Sequence, residues 1–114
     1  MTTFTKKRIS TESAAKNMSK LIARNFGGKL VKDKQVVEKI KALVRAAKAS
    51  MDTNYFVSCA LVKQKNRYIF AVSNYMIRKP HIASFDVYAE YASVEDFLNS
   101  NIDPIELVLL PIQA

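Results

Sequence analysis

The most promising functional residues in this 114-residue sequence are cationic side chains at helical spacing, which could bind an anionic ligand. They recur on one side of a helix predicted between Asp33 and Asp52, accompanied by a single acid, Glu38. Lysine and arginine bind anions, phosphate above all, through charge-assisted hydrogen bonds. A solvated helix face carries the same pattern, so the row alone does not define a site. The cations of this row are Lys34, Lys41, Arg45 and Lys48.

A second cationic row lies in the preceding predicted helix, which begins at Ser10 or Thr11 and ends near Phe26. Its members follow one another at four-residue steps, opposite the apolar side of the helix. If the two helices pack side by side, both rows face outward on one surface. That surface repels itself unless an anion lies along it. The cations of this second row are Lys16, Lys20 and Arg24.

The apolar pattern predicts an α+β domain in the order α-α-β-β-β-α-β. Apolar residues recur every three or four positions in both helices. Two apolar stretches, 55–63 and 67–77, predict a β-hairpin at the centre of a sheet. In a third strand, 82–91, apolar and polar side chains alternate, which predicts that one face is exposed to solvent. A short acidic helix and a last strand, 105–112, follow it. We expect two layers, an antiparallel sheet covered on one face by the long amphipathic helix.

Three residues predict where helices begin or end. Asp33 suits the N-cap of the long helix, and Ser93 suits the N-cap of the acidic helix, because their side-chain oxygens accept free backbone N–H groups. Gly27 suits the left-handed position that ends the first helix.

The chain is predicted to be a single domain, residues 11–114, preceded by a flexible basic arm, residues 1–10. The arm holds Lys6, Lys7 and Arg8, which suit a nucleic-acid arm, a nuclear-import patch or a soluble terminus. Cys59 is the one cysteine, so no internal disulfide forms and a reducing cytoplasmic compartment fits, or a nuclear one in a eukaryote. No apolar run approaches the roughly 20 residues that span a bilayer, which predicts no membrane partner.

Charge is unevenly distributed along the chain, whose net charge is +8. Residues 1–51 carry thirteen Lys and Arg against three acids, whereas residues 80–114 carry six acids and neither Lys nor Arg. Such polarity suits docking by charge complementarity on a protein of opposite charge, or self-association of basic and acidic ends. The candidate partner face on the third strand consists of Asp86, Tyr88 and Glu90.

Residues for catalysis or metal binding are scarce, so the sequence predicts neither an enzyme nor a cofactor or metal. His81 is the one histidine, and Cys59 lies in an apolar stretch typical of a buried thiol. Metal sites need three or four ligands at recognisable spacings. Asp86 and Glu90 share one side of a regular strand but lie roughly 13 Å apart, too far for a single metal. No glycine-rich phosphate loop is present.

The order helix, three strands, helix between Asp33 and Asn101 resembles that of the double-stranded-RNA-binding domain. In that family a lysine-rich signature opens the second helix and contacts phosphates. Here the corresponding helix begins SVEDF and is acidic. The family's binding residues therefore have no counterparts there, and the sequence is assigned to no family.

Two functions remain open from the sequence. The first, which we favour, is a non-enzymatic domain that binds DNA or RNA through phosphate contacts of both helix rows and the arm, with little sequence specificity. The second is a protein-interaction or inhibitor module that docks by charge on a larger protein or nucleic-acid machine. Two adjacent helices with almost no acids favour the first.

Overall fold

A computed structural model of the protein describes residues 5–8, 11–50, 55–76 and 82–109. The described residues form an α+β fold of helices around an antiparallel sheet. Its elements are β1 (Thr5–Arg8), α1 (Thr11–Asn25), β2 (Lys29–Leu30), α2 (Lys34–Lys48), β3 (Tyr55–Gln64), β4 (Arg67–Met76), β5 (Ile82–Tyr91), α3 (Val94–Leu98) and α4 (Pro104–Leu109).

The strands pair in the order β1-β5-β4-β3-β2. The β3–β4 hairpin forms the centre and pairs along its whole length, from Tyr55 opposite Met76 to Gln64 opposite Arg67. The short strands β1 and β2 lie at the two edges. Residues 5–8 therefore pair with β5, where the sequence predicts a flexible arm; residues 1–4 and 9–10 of that arm lie outside the described residues.

Helices cover both faces of the sheet, so the fold has three layers rather than the predicted two. One face packs against α1, where Ile22 and Phe26 share a core with Ala60 and Val62 of β3. The other face packs against α2, α3 and α4. The reason is that β3 and β4 are apolar on both sides, and side chains alternate between the faces of a strand. A single helix layer would leave one apolar face in water.

The last element among the described residues is a helix, α4, where the sequence predicts a strand over 105–112. Residues 110–112 lie outside the described residues. Asp103 precedes the helix and its carboxylate accepts the backbone N–H of Ile105 at 3.0 Å. Pro104 occupies the first helical position, where its fixed φ suits a helix and its missing N–H costs nothing. Leu107 is fully buried against the α2 face of the sheet, which anchors the helix.

A β-bulge in β5 changes the predicted alternation of its side chains. Phe70 pairs with Ala89 while the next residue of β4, Ala71, pairs with Val87, so Tyr88 is the extra residue. The face of β5 that the sequence predicts to be exposed to solvent is also largely buried. Ser84 is buried, and its hydroxyl donates to the carbonyl of Asn74 at 3.3 Å.

Two of the three predicted helix ends are confirmed. Gly27 has φ +64°, and the N–H of Gly28 reaches back to the carbonyl of Ala23 at 3.1 Å, as in a Schellman motif. Ser93 accepts the N–H of Asp96 at 3.1 Å. Asp33 holds the N-cap position of α2, but its side chain makes no capping hydrogen bond.

Candidate nucleic-acid interface

Four exposed cations form a line along one flank of α2, and we call them the α2 row: Lys34, Lys41, Arg45 and Lys48. The line spans fourteen residues, which at 1.5 Å rise per residue is about 21 Å. The buried side of the helix is centred on Val36 and Ala47, and the row lies on the solvent side by the helical repeat. Burial of the apolar side therefore fixes where the row points.

Acidic side chains do not neutralise the α2 row among the described residues. Lys34, Lys41 and Arg45 have no carboxylate within 4.0 Å there, and Glu38 is the one acid of the helix. The ammonium of Lys48 lies 4.0 Å from the ring centroid of Phe56, a cation–π contact that leaves its charge in place. The row is therefore a line of positive charge that makes no direct ion pair among the described residues, although Glu38 lies on the same flank.

Two further lysines extend the positive charge beyond the N-terminal end of the row. Lys29 of β2 pairs with Lys63 of β3, both side chains are exposed, and we call them the edge lysine pair. Directly opposite residues of an antiparallel pair share a face, and like charges there are destabilising. The ammonium of Lys63 lies 6.0 Å from the Tyr68 ring, which packs on the α2 side of the sheet. The pair is therefore on the same face as α2.

Lys39 of α2 has a different role, which the sequence analysis missed. Its ammonium donates hydrogen bonds to the carbonyls of Phe97 at 2.6 Å, Leu98 at 3.1 Å and Ser100 at 2.7 Å. These carbonyls end α3, where helices leave acceptors unpaired. Burial lowers the pKa of Lys39.

On the helical wheel Lys39 lies about 150° from the centre of the α2 row. Helix α3 therefore covers one flank of α2, and the row occupies the other. The sequence contains no signal for this role, because Lys39 and Lys41 have similar neighbours along the chain and differ only in their tertiary contacts.

The predicted row on α1 lies on the other side of the molecule. Lys20 and Arg24 are exposed, whereas the side chain of Lys16 lies outside the described residues. Because α1 and α2 pack on opposite faces of the sheet, the two rows do not share one surface. The condition under which both rows would face one surface, side-by-side packing of the two helices, is therefore not met.

The cations of the N-terminal arm lie at the sheet edge that is farthest from β2. The backbone register places Lys6 opposite Ser84 and Arg8 opposite Ile82, with Lys7 between them. Three neighbouring strand positions, β5, β4 and β3, separate β1 from β2. The arm residues therefore do not extend the α2 row.

The candidate partner face of Asp86, Tyr88 and Glu90 is divided by the bulge. Asp86 pairs with Val72, a core residue of the α2 side, whereas Glu90 pairs with Ile69, a core residue of the α1 side. The three residues therefore do not form one exposed acidic surface.

The local environments of these three residues also differ. The hydroxyl of Tyr88 donates to the Oε1 of Glu106 at 2.6 Å, and burial together with this bond raises the pKa of Tyr88 to about 12. Glu90 is exposed and forms an ion pair with Arg67. Asp86 is only 9% exposed, and burial raises the pKa of its carboxyl despite the hydrogen bond from the N–H of Val87.

Replacing Asp86 by asparagine is expected to stabilise the protein at pH 7 by on the order of 1 kcal/mol, since it removes a buried charge. A raised folded-state pKa means that the native protein holds the proton more tightly than the unfolded chain. The contribution of Asp86 to stability is therefore full below its unfolded pKa and is lost as pH rises through the folded pKa. The advantage of Asp86→Asn should accordingly shrink as pH falls towards 4, roughly the unfolded value. Urea unfolding at several pH values measures this.

The matched control is Glu90→Gln, which removes an exposed carboxylate from the same strand. It should cost about 0–1 kcal/mol at pH 7 through loss of its pair with Arg67. A destabilised Asp86→Asn variant at neutral pH would contradict the assignment of a costly buried charge.

The candidate residues for catalysis and metal binding do not come together in the part of the chain that the structure describes. Cys59 is a buried free thiol, as predicted, and burial raises its pKa to about 12, so it is not a nucleophile near neutral pH. His81 lies outside the described residues. Within the described ranges, His, Cys, Asp and Glu side chains form no group of three that could hold a metal ion.

Comparison of the chain with protein-family models, with curated proteins and with solved structures finds no match. Among the described helices, none is both long and apolar enough to cross a bilayer.

Proposed function

We propose that this protein binds nucleic acid through phosphate contacts made by the α2 row and the edge lysine pair. The observation that carries the proposal is the row itself: four exposed cations on one helix flank, with no carboxylate partner among the described residues. Phosphate contacts of Lys and Arg position a nucleic acid without reading its sequence. The protein is therefore a weakly sequence-specific, non-enzymatic binder of DNA or RNA.

The packing of the helices supports assigning the proposed contacts to the cations of one face. Helix α2 and the edge lysine pair lie on one face of the sheet, whereas Lys20 and Arg24 of α1 are on the other. Lys48 is the exception within the α2 row, because its ammonium contacts Phe56, which packs on the α1 face. A rigid nucleic acid lying along α2 does not reach the α1 row at the same time. The α2 face is preferred because its four cations form the longer line and because the pair of Lys29 and Lys63 adjoins its N-terminal end.

Fluorescence anisotropy with labelled DNA and RNA, single-stranded and duplex, tests the proposal. Each phosphate contact on a duplex contributes about −0.9 to the slope of log affinity against log salt. We expect a slope of about −3.6 if the four row cations engage and about −5.4 if the edge lysine pair joins them. Absence of binding at low salt would overturn the proposal, and an acidic protein partner would then account for the exposed charge.

A further inference from the structure

One line of side chains crosses four neighbouring strands on the α2 face of the sheet, and we call it the cross-strand row: Lys29, Lys63, Tyr68 and Tyr91. The register pairs Lys29 with Lys63, Lys63 with Tyr68, and Tyr68 with Tyr91. Directly opposite residues of an antiparallel pair share a face. Because strands lie about 4.8 Å apart, the row is about 14 Å long. Two cations therefore occupy one end of the row and two aromatic rings the other.

The cross-strand row forms the boundary between the core and solvent at this end of the sheet. The next row inward on the same face contains Leu61 and Phe70, which are fully buried. Tyr68 and Tyr91 are only half-buried, and beyond them the hairpin turns at the exposed residues 65–66. The two tyrosines therefore pack on the core from one side and meet solvent on the other.

Few contacts cover the tyrosine rings. The ammonium of Lys63 lies 6.0 Å from the centroid of Tyr68, which places a cation directly beside an aromatic ring. The ring of Tyr91 meets that of Phe97 at a centroid distance of 5.6 Å and an interplanar angle of 76°. An edge-to-face contact of this kind occupies at most one face of a ring. Each tyrosine therefore retains ring surface on which a planar group can stack.

Packing alone explains the tyrosines but not the lysines beside them. Tyrosine is common at the edge of a core, where its apolar body is buried and its polar tip is wet. Lys29 and Lys63 are like charges directly opposite each other, which is destabilising, and neither forms an ion pair with another described residue. An anion that lies between the two ammonium groups relieves this repulsion.

Aromatic rings next to cations are the arrangement that binds single-stranded nucleic acid. Bases stack on the rings while Lys and Arg contact the backbone phosphates. In a duplex the base faces are already stacked on one another, so they are not available to the tyrosines. The lysine end of the row therefore accepts either form of nucleic acid, whereas the tyrosine end distinguishes them.

We propose that the cross-strand row binds single-stranded nucleic acid, with bases stacked on Tyr68 and Tyr91 and the adjoining phosphates on Lys29 and Lys63. This inference rests on the proposed function and names its substrate class. The lysines supply a salt-dependent part of the affinity, and the tyrosines supply the preference for unpaired bases.

The test uses three fluorescent probes of equal phosphate number per strand: an oligothymidylate, an abasic strand and a blunt duplex. Tyr68→Leu keeps an apolar side chain against the core but removes the flat ring. It should weaken binding of the oligothymidylate by at least about fivefold, the lower end of the range for one base–aromatic stack. It should leave the abasic strand and the duplex unchanged within about twofold, since neither stacks a base on the ring. Tyr68→Phe, which keeps the ring, should bind all three probes as the native protein does.

Tyr55→Leu is the matched control. Tyr55 is 45% exposed and lies at the other end of β3, eight residues from Lys63, which is about 27 Å along a strand. This variant should not change the affinity for any probe. Thermal unfolding confirms that each variant is folded.

A second measurement does not depend on removing the ring. The chain contains no tryptophan, so Tyr68→Trp introduces a single reporter at this position. A base that stacks on the indole quenches its fluorescence. We expect quenching by the oligothymidylate and none by the abasic strand or the duplex.

The results separate the inference from the proposed function. If Tyr68→Leu binds the oligothymidylate as tightly as the native protein, or loses affinity equally for all probes, the stacking inference is wrong while phosphate binding stands. Equal quenching of Tyr68→Trp by all three probes would overturn it in the same way. If the native protein binds no probe at low salt, both proposals fail.

Discussion

Replacing Lys34, Lys41 and Arg45 by glutamine is expected to weaken nucleic-acid binding by about 100- to 500-fold at roughly 0.1 M salt. Three lost phosphate contacts account for this size, since each contributes about 0.7 to 0.9 to the salt slope on single strands and duplexes respectively. The slope itself should become shallower by about 2 to 3. Glutamine is a good helix former, so α2 should remain intact. Lys48 is left in place because its ammonium packs on Phe56.

The sequence offers a closely matched control on the opposite face of the sheet. Lys16→Gln, Lys20→Gln and Arg24→Gln together remove the same charges, two lysines and one arginine, from α1. If the α2 row is the interface, this variant should lose less than about tenfold, through the general decrease in positive potential. Anisotropy titrations at matched salt compare the two. Equal losses in both variants would show that net charge, rather than the α2 row, drives binding.

Phe97→Ala is expected to lower the free energy of unfolding by about 3–5 kcal/mol, the range for truncating a buried aromatic residue. Phe97 is fully buried, and its ring centroid lies 5.1 Å from that of Phe70 and 5.6 Å from that of Tyr91. The ammonium of Lys39 lies 4.9 Å from the same ring and donates to the Phe97 carbonyl. Loss of the ring therefore leaves a cavity and loosens the contact that joins α3 to α2.

Equilibrium urea unfolding measures this effect, with Phe97→Leu as the control. Leucine keeps most of the apolar volume and should cost less than about 1.5 kcal/mol. A loss below about 1 kcal/mol for Phe97→Ala would contradict the packing of α3 against the sheet, because a fully enclosed ring cannot be removed so cheaply.

Features that depend on near neighbours in the chain could be predicted from the sequence. The hairpin strands carry apolar, β-branched and aromatic residues without interruption, and β3 begins at Tyr55 as expected. Gly27 takes the left-handed conformation because a residue with a Cβ atom is strained there. Ser93 caps α3 because its hydroxyl reaches an N–H three residues ahead.

The end of the chain shows where local reasoning failed. The apolar residues after Pro104 fit a strand or a buried helix equally, since a short apolar run has no clear period. Asp103 and Pro104 are signals for a helix start, and the prediction of a strand did not take them into account. The contacts of Leu107 with the core and of its carbonyl with Asn74 at 3.0 Å join α4 to the sheet, and neither is visible in the sequence.

By itself the sequence determined that two amphipathic helices carry cationic rows and that a central hairpin is apolar on both sides. Only the tertiary structure decided that α1 and α2 lie on opposite faces of the sheet and that Lys29 and Lys63 lie on the α2 side. It also decided that Lys39 caps α3 while Lys41, two residues later, remains exposed. The physical reason is that periodicity identifies the apolar side of a helix but not the surface it covers. With both faces of β3 and β4 apolar, either face could receive either helix, and long-range packing made the choice.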